Sequence, residues 1–346
     1  MKSIFASGFD LSALADVMNA NGLPVTGSLQ LSPLTGGQSN PTFRLTTADR
    51  TYVLRKRPTG DVLASAHAID REFRVMSALR QTAIPVPEMY FYCKDESIVG
   101  TPFYLMEFLD GRIFVDQSLP GLAMEERRDL YLEMNRVIAE LHKVQPESIG
   151  LADYGRVGNY LGRQIARWTR QYQDSNAAPI PAMDRLIEWL PGHVPQSDRT
   201  SLVHGDFRVD NLVFHPVQPR VIGILDWELS TLGDPLADFA YHCMSWHIPP
   251  TVWRGIGGLN LEALGIPDES HYVNRYLATT GNAVDGQWSF YLAYNLFRMA
   301  AILHGIARRA EMGIAASADA AEVGRKAEPL AELAWQFAER AEANAC

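Results

Sequence analysis

The stretch HGDFRVDNLVFHPVQPRVIGILDWE, residues 204–228, decides the interpretation of this chain. Two apolar runs, NLVFH from Asn211 and VIGILD ending at Asp226, are joined by the Pro-rich segment PVQPR, a pattern that predicts a β-hairpin. In an antiparallel pair the start of one strand lies beside the end of the other. Asn211 and Asp226 are therefore expected at the same end of the hairpin, with Asp206 on the loop that precedes it.

The spacing between Asp206 and Asn211, Asp-x-x-x-x-Asn, recurs in the catalytic loop of phosphoryl-transfer enzymes. Magnesium takes oxygen ligands and shares them with substrate phosphates, so Asn211 and Asp226 are candidate metal ligands. Asp206 would then face an acceptor hydroxyl as a base or an orienting group. Each carboxylate alone is more often a turn former or a helix cap, but together with the hairpin they favour catalysis.

Five runs rich in Thr, Val, Leu, Tyr and Phe precede this stretch and predict a β-rich beginning of the chain. The predicted strands are 29–34, 41–47, 51–57, 88–93 and 102–109. A short helix is expected at about 10–20, and apolar residues at helical spacing predict a second helix over 66–80. Gly111 marks a plausible hinge after the last of these strands.

Beyond Gly111 the pattern is mainly helical. The predicted helices are 123–143, 156–173, 182–190, 271–279 and 287–310. We therefore expect an α+β fold with a small β-rich N-lobe, residues 1–110, and a larger helical C-lobe, residues 111–346. The C-lobe would carry the catalytic loop and the metal-binding hairpin, and a cleft between the lobes would bind the ligand.

The segment LTGGQSNPTF, residues 34–43, places Gly36, Gly37 and Ser39 between two predicted strands. Glycines allow backbone N–H groups to approach phosphate oxygens closely, so this turn is a candidate phosphate-binding loop. A Gly-Gly turn alone is more often a simple hairpin connection. Phosphate binding is favoured here because the chain also carries the C-lobe motif with Asp206, Asn211 and Asp226.

The strand YVLRKRP, which begins at Tyr52, ends in cations and is followed by a helix that carries Glu72. Phosphoryl transfer in kinases needs a cation on this strand and a helix carboxylate to orient it. Arg55 shares a strand face with Val53, which is small enough to lie against adenine. We therefore favour Arg55 as the phosphate-binding cation, with Lys56 as the next candidate.

Composition excludes several other classes of protein. The chain has 346 residues, a net charge of −9 and only three cysteines, without metal-type spacing. The acidic balance argues against nucleic acid as a partner, and the cysteines indicate a reducing compartment. No leader or membrane-spanning pattern is apparent. We expect a cytoplasmic enzyme, a monomer or a homodimer, with a small-molecule partner.

The sequence resembles the aminoglycoside phosphotransferase-like, or kinase-like, family from about Leu31 to Arg309. The motifs that carry this resemblance are GGQSNPTF, YVLRKRP, IPVPEMY, GTPFYLMEFLDGR, HGDFRVDN and ILDWELSTLGDPLADFAY. Their wording is most similar to the branch found attached to acyl-CoA dehydrogenases, or alone in bacteria. The resemblance implies a bilobal protein-kinase-like fold, ATP and Mg²⁺ as cofactors, and transfer of phosphate to a small-molecule hydroxyl.

Carried over residue by residue, the resemblance makes Asp206 the catalytic base and Glu72 the partner of the strand cation. It makes Asn211 and Asp226 the magnesium ligands. Backbone groups of Glu107 and Leu109, in and directly after the run MEF, would contact adenine. Asp238 of GDPLADFAY would hold the catalytic loop. The chain departs from many kinases in having Arg55 where they have lysine, which keeps the charge and adds a fork that suits phosphate.

The identity of the acceptor depends on a predicted helix, RVGNYLGRQIARWTRQYQ, in which Arg163, Arg167 and Arg170 share one face. A solvated surface is an equally good explanation of this stripe. If it is functional, it suits an anionic acceptor such as a hydroxyacyl-CoA-like metabolite, and Arg208 points the same way. Glu228 of DWE is a further candidate for substrate binding.

Several residues around the stripe could line the same acceptor site, namely Tyr160, Trp168, Trp246 and Arg298. Two alternatives to an anionic acceptor stay open. One is an aminoglycoside or other antibiotic kinase, although a polycationic substrate calls for clustered carboxylates, which the arginine-bearing helix lacks. The other is an inactive kinase fold that only binds nucleotide, against which the intact Asp206, Asn211 and Asp226 argue.

Overall fold

The computed structural model describes residues 9–34, 40–59, 68–175, 178–196, 199–284, 286–311 and 320–345. These form two compact units. The first unit comprises Met1–Arg112 together with Leu212–Leu229, and the second comprises Ile113–Asn211 together with Ser230–Cys346.

The first unit is built on a five-stranded antiparallel sheet with strand order β1-β2-β3-β5-β4. The strands are β1 (Gln30–Pro33), β2 (Thr42–Thr46), β3 (Thr51–Lys56), β4 (Met89–Cys93) and β5 (Phe103–Glu107). Leu54 of β3 and Leu105 of β5 pair directly and are fully buried, which places the core of the unit against the middle of the sheet.

Among the described residues of this unit, three helices accompany the sheet: α1 (Leu11–Ala20), α2 (Ile69–Leu79) and α3 (Glu96–Val99). The buried face of α2 carries Ile69, Val75 and Met76, but it also carries Glu72, which is only 1% exposed. A carboxylate on the core-facing side of an amphipathic helix needs a partner there, because an unpaired buried charge is costly. The apolar pattern of α2 thus aims Glu72 into the unit.

The predicted hairpin forms from β7 (Leu212–Phe214) and β8 (Val221–Ile224) and belongs to the first unit. Arg112 and Phe214 exchange two backbone hydrogen bonds of 2.8 Å, and the Ile224 N–H donates to the Pro85 carbonyl at 2.9 Å. Gly111 allows this close approach, because a Cβ at this position would lie 2.4 Å from the Phe214 carbonyl oxygen. The structure therefore groups the hairpin with the N-terminal sheet, whereas the sequence pattern assigned it to the C-lobe.

The second unit is mainly helical. Its helices are α4 (Met124–Lys143), α5 (Tyr160–Asp174), α6 (Pro181–Trp189), α7 (Pro235–Cys243), α8 (Leu261–Leu264), α9 (Glu269–Thr280), α10 (Trp288–Glu311), α11 (Ala320–Arg325) and α12 (Ala327–Ala345). A short antiparallel pair, β6 (Ser201–Val203) and β9 (Thr231–Gly233), lies among them. Helix α10 packs against α5, α7 and α12 and forms the centre of the unit. No helix among the described residues is long and apolar enough to cross a membrane.

Candidate active site

The first unit contains a buried ion-pair cluster, which we call the Arg55 cluster: Asn40, Arg55, Glu72, Tyr104 and Asp226. Arg55 Nε lies 3.0 Å from Glu72 Oε2, and Arg55 Nη2 lies 2.8 Å from Asp226 Oδ1. Glu72 also accepts hydrogen bonds from Asn40 Nδ2 at 2.9 Å and from the Tyr104 hydroxyl at 3.1 Å. Every oxygen of the Glu72 carboxylate is thereby paired.

Strand register explains how this cluster forms. Arg55 of β3 lies directly opposite Tyr104 of β5, so the two side chains share one face of the sheet. Lys56, the next residue, points to the other face, where its Nζ donates to the Val99 carbonyl and lies 4.9 Å from the Phe9 ring. Arg55, rather than Lys56, therefore faces Glu72.

Electrostatics keep this guanidinium charged. Burial lowers the pKa of Arg55, but the carboxylates of Glu72, Asp226 and Glu228 raise the pKa by more, so the net shift is upward. Burial raises the pKa of Glu72, and Arg55 opposes that rise. The pair is stable as an ion pair because each charge is the main compensation for the other.

Asp226 follows β8 and adopts a φ of +65°, in the left-handed region that few residues other than glycine enter. Its side chain is 31% exposed, against 10% for Arg55 and 1% for Glu72. Aspartate tolerates this conformation better than most residues, and such outliers cluster at functional sites. The turn places one carboxylate oxygen on Arg55 and leaves part of the group open.

The remaining candidates of the first unit have the following places. Gly36, Gly37 and Ser39 lie outside the described residues. The Glu107 N–H donates to the Glu88 carbonyl at 2.8 Å, and Leu109 packs against Gly223 of β8. The adenine contacts expected of Glu107 and Leu109 remain predictions.

In the second unit, Asp238 of α7 holds the loop that begins at His204. Its carboxylate accepts the backbone N–H groups of His204 at 2.8 Å and Gly205 at 2.7 Å, and it lies 3.1 Å from His142 Nε2. Burial alone would raise the pKa of Asp238, but these donors and the two imidazoles lower the pKa overall. The loop is thus fixed through its backbone immediately before Asp206.

Asp206 itself is held by three side chains. Asn211 Nδ2 donates to Asp206 Oδ2 at 3.0 Å, and Arg208 Nη2 donates to the same oxygen at 3.2 Å. The Tyr241 hydroxyl donates to Asp206 Oδ1. Arg208 also contacts Asp210 at 3.4 Å. Because the nitrogen of the Asn211 amide is used by Asp206, its carbonyl oxygen is directed elsewhere.

A family model described as the phosphotransferase enzyme family matches residues 30–268 of this chain. The chain belongs to this phosphotransferase family. This match confirms the family resemblance predicted from the motifs. The predicted α+β kinase-like fold is also confirmed, because a solved structure named as an aminoglycoside phosphotransferase matches nearly the whole chain.

Three relatives illustrate the range of similarity. Acyl-CoA dehydrogenase family member 10 of Mus musculus is 48% identical over 315 residues, which are 90% of this chain and 30% of that protein. A Ralstonia eutropha protein whose crystal structure bears a provisional aminoglycoside phosphotransferase name is 52% identical, with a TM-score of 0.88 over 96% of this chain and 99% of that one. An APH(4)-Ia aminoglycoside phosphotransferase solved with ADP and hygromycin B is 16% identical, with a TM-score of 0.59 over 92% and 97%, and shows the fold alone. The chain spans less than half the length of the curated relatives it matches.

The arginines predicted to line the acceptor site of this phosphotransferase differ in their surroundings. Arg163 donates to the carbonyls of Arg156, at 2.7 Å, and Gly158, which fixes the loop before α5. Arg170 Nε donates to the Ala166 carbonyl of its own helix at 3.3 Å. The Arg167 guanidinium instead lies over the Trp168 ring, 5.0 Å from its centroid. The stripe is therefore not one uniform surface.

Sequence reasoning left out Tyr241 and gave Arg298 only a minor place. Arg298 is 4% exposed and its Nη2 donates to the Gly205 carbonyl at 2.5 Å. Its guanidinium lies 4.8 Å from the Tyr241 ring centroid and 5.5 Å from that of Trp168. Trp246, by contrast, packs into the core. The signal for Arg298 was a charge inside a long apolar run, whereas Tyr241 ends the quoted motif ILDWELSTLGDPLADFAY without a role having been assigned to it.

Proposed function

We propose that this phosphotransferase is an ATP- and Mg²⁺-dependent kinase that transfers the γ-phosphate to a hydroxyl of a small molecule. The observation that carries the proposal is Asp206, whose carboxylate is fixed by Asn211, Arg208 and Tyr241 on a loop anchored by Asp238. A carboxylate held in this way can orient an acceptor hydroxyl and accept its proton. That a structural relative was solved with ADP supports a nucleotide as the donor.

The chemistry of two candidate residues fits a magnesium ion. Asn211 keeps a carbonyl oxygen directed away from Asp206, and the Asp226 carboxylate is partly exposed, so both offer the oxygen ligands that magnesium prefers. Asn211 directly precedes β7, and Asp226 follows β8 by two residues. When bound, Mg²⁺ would neutralise charge on the transferred phosphate.

The steps assigned to this chain follow from the Arg55 cluster and from the loop that carries Asp206. Arg55, oriented by Glu72, binds phosphate oxygens of the nucleotide through its remaining donor capacity. Asp206 aligns the acceptor hydroxyl and takes its proton at a carboxylate oxygen, as the new bond from the acceptor oxygen to the γ-phosphorus forms and the bond from that phosphorus to the β,γ-bridging oxygen breaks, which releases ADP. Because the transition state is loose, most of the rate enhancement comes from this positioning and from charge stabilisation.

The proposed acceptor is anionic, a hydroxyacyl-CoA-like metabolite. Arg167 and Arg298 both lie over Trp168, and Arg298 also contacts the loop of Asp206 through Gly205. Two guanidiniums at one indole attract an acceptor with a carboxylate or phosphate and repel a polycation. The acyl-CoA dehydrogenase name of the mouse relative supports the same class. The name of the Ralstonia relative favours an aminoglycoside as the second candidate.

A screen for ATP consumption tests these alternatives. Purified protein is incubated with Mg-ATP and, in parallel, with hydroxyacyl-CoAs, aminoglycosides, sugars and amino alcohols. We expect acceptor-dependent ADP release with a hydroxyacyl-CoA, a mass gain of one phosphate in the product, and loss of both in Asp206→Asn. Turnover of aminoglycosides alone would establish the second candidate, and ATP binding without turnover of any acceptor would contradict the proposed kinase activity.

A further inference from the structure

We propose that Tyr241 is a positioning residue for phosphate transfer, which sets the orientation of the Asp206 carboxylate through its hydroxyl. This inference rests on the proposed function, in which Asp206 receives the acceptor proton. The hydroxyl of Tyr241 donates to Asp206 Oδ1, although the two residues are 35 positions apart in sequence.

The position of Tyr241 on α7 explains its reach. Asp238 lies one helical turn earlier, on the same face, since residues three apart are neighbours on a helix. Asp238 fixes the backbone of the loop through the His204 and Gly205 N–H groups, and Tyr241 fixes the side chain that follows. One helix face therefore sets both the path of the loop and the direction of its carboxylate.

Burial keeps the Tyr241 hydroxyl in this hydrogen bond. Tyr241 is 3% exposed, and within the described part of the chain its hydroxyl has Asp206 as its hydrogen-bonding partner. Burial, and then the negative charge of Asp206, raise the pKa of Tyr241, so the phenol stays protonated and remains a donor. The Arg298 guanidinium lies over the face of the Tyr241 ring, and Arg298 is itself tied to the Gly205 carbonyl.

The other contacts of the carboxylate come from the loop itself. Asn211 and the Nη2 atom of Arg208 both donate to Oδ2, and the Arg208 Nε atom of the same guanidinium lies 3.0 Å from Oδ1 as an ion-pair contact. Without the Tyr241 hydroxyl, the carboxylate keeps its contacts to Asn211 and Arg208, which lie on its own loop, but loses the hydrogen bond that ties Oδ1 to α7, and it gains freedom to rotate. We expect slower transfer from a site that still binds both substrates, because small misplacements of a catalytic group reduce the rate steeply.

The test is Tyr241→Phe, which removes one oxygen and keeps the ring under Arg298. We expect kcat to fall about 10- to 100-fold while the KM of ATP stays within about twofold of the wild type. The matched control is Tyr154→Phe, which removes another buried tyrosine hydroxyl, bonded to Ser230 at 2.7 Å, and should keep wild-type kcat. Equal kcat in Tyr241→Phe and the control would overturn the proposal.

Two further measurements separate positioning from general damage. In an Asp206→Asn background, Tyr241→Phe should have little additional effect on the residual rate, because both changes act on the same group. A full second loss of rate would contradict the proposal.

Crystal structures of the wild type and Tyr241→Phe should differ in the rotation of the Asp206 carboxylate, and an unchanged carboxylate would also overturn the proposal. If the wild type phosphorylates no acceptor, the proposed function fails, while the structural comparison still decides the role of Tyr241.

Discussion

Arg55 joins two carboxylates that are distant in sequence: its Nε lies 3.0 Å from Glu72 and its Nη2 lies 2.8 Å from Asp226. A guanidinium can do this because its donors are arranged as a rigid planar fork. A lysine ammonium at the same position is a single point charge on a flexible stem. The arginine therefore links the α2 carboxylate to the turn after β8 in a way that lysine would not reproduce.

The first prediction tests this fork. Arg55→Lys should lower kcat/KM for ATP by about 10-fold or more, since a charge-assisted hydrogen bond is worth roughly 1.5–3 kcal/mol. Arg55→Met should in addition lower the free energy of unfolding by about 3–5 kcal/mol, because Glu72 would stay buried without its cation. Steady-state kinetics and chemical denaturation measure the two effects.

The matched control for Arg55 is Arg80, also in the first unit. Arg80 Nη1 lies 2.8 Å from Glu88 Oε1, but both side chains are nearly half exposed. Exposed pairs contribute only about 0–1 kcal/mol, so Arg80→Lys should leave both kinetics and stability close to wild type. If Arg55→Lys behaved like Arg80→Lys, the fork would have no functional role.

The second prediction concerns the metal. ATP binding by the wild type, measured by calorimetric titration, should tighten when Mg²⁺ is present, and chelation should reverse the gain. Asp226→Ala should lose most of this metal dependence, because a proposed ligand shared with the phosphates is gone. Asp129→Ala, which removes an exposed carboxylate paired with its neighbour Arg128, should keep it. Equal metal dependence in Asp226→Ala and the wild type would refute the shared site.

The sequence was sufficient for the elements that have an amphipathic pattern. Strands β1 to β5 and helices α1, α2, α4 and α10 lie within a few residues of the predicted bounds, because the strands are rich in Thr, Val, Leu, Tyr and Phe and the helices carry long apolar runs or apolar residues at helical spacing. Helix α7 was missed because all nine of its residues are buried, which leaves no polar face to reveal the period. Strands β6 and β9 are three residues long, too short for a pattern. Helix α12 was also missed, because its buried residues are mostly alanine, which differs little in hydropathy from its polar neighbours.

In the candidate site, too, some residues could be predicted from local sequence patterns and others could not. Asp206, Asn211 and Asp226 could be selected because they lie close together in sequence, around one hairpin. Tyr241 and Arg298 reach the same loop from sequence distances of 35 and 93 residues, which no local pattern encodes. The assignment of the hairpin to the first unit was likewise not predictable, since it depends on long-range backbone bonds such as that between Ile224 and Pro85.

The third prediction is a pH dependence of stability that originates in the core. His242 is 3% exposed, and burial lowers its pKa from 6.5 to about 4, against the opposing effect of Asp238. Because its folded-state pKa is lower than its unfolded-state pKa, the unfolded state binds the proton first on acidification. The contribution of neutral His242 to the free energy of unfolding is therefore fully present above about pH 6.5, and it is lost as the pH falls toward 4.

Chemical denaturation at pH 7.5 and pH 5 measures this effect. The free energy of unfolding of the wild type should fall by about 2 kcal/mol more than that of His242→Gln, whose side chain does not titrate. His193→Gln, at an exposed position, should keep the wild-type difference. A His242→Gln variant with the full wild-type loss would show that another group is responsible.

The fourth prediction separates the arginines of α5. Arg167→Ala should raise the KM of an anionic acceptor about tenfold and leave that of ATP unchanged, because a charge-assisted contact with the acceptor is removed. Burial and the nearby Arg298 both lower the pKa of Arg167, which indicates that the two positive charges repel each other. An anion between them relieves that repulsion, so the acceptor's KM should also rise with added salt in the wild type more than in the variant.

Arg163 and Arg170 provide the controls within the same helix. Arg163→Ala should lower thermal stability, since its guanidinium caps the carbonyls of the preceding loop, but should not change the acceptor's KM. Arg170→Ala, which loses a contact of 3.3 Å to its own helix, should change neither. If Arg167→Ala matched Arg170→Ala toward every acceptor found, α5 would not recognise the acceptor's charge. Arg208 and Arg298 would then be the cations at the loop of Asp206 on which an anionic acceptor could depend, among the residues that the structure describes.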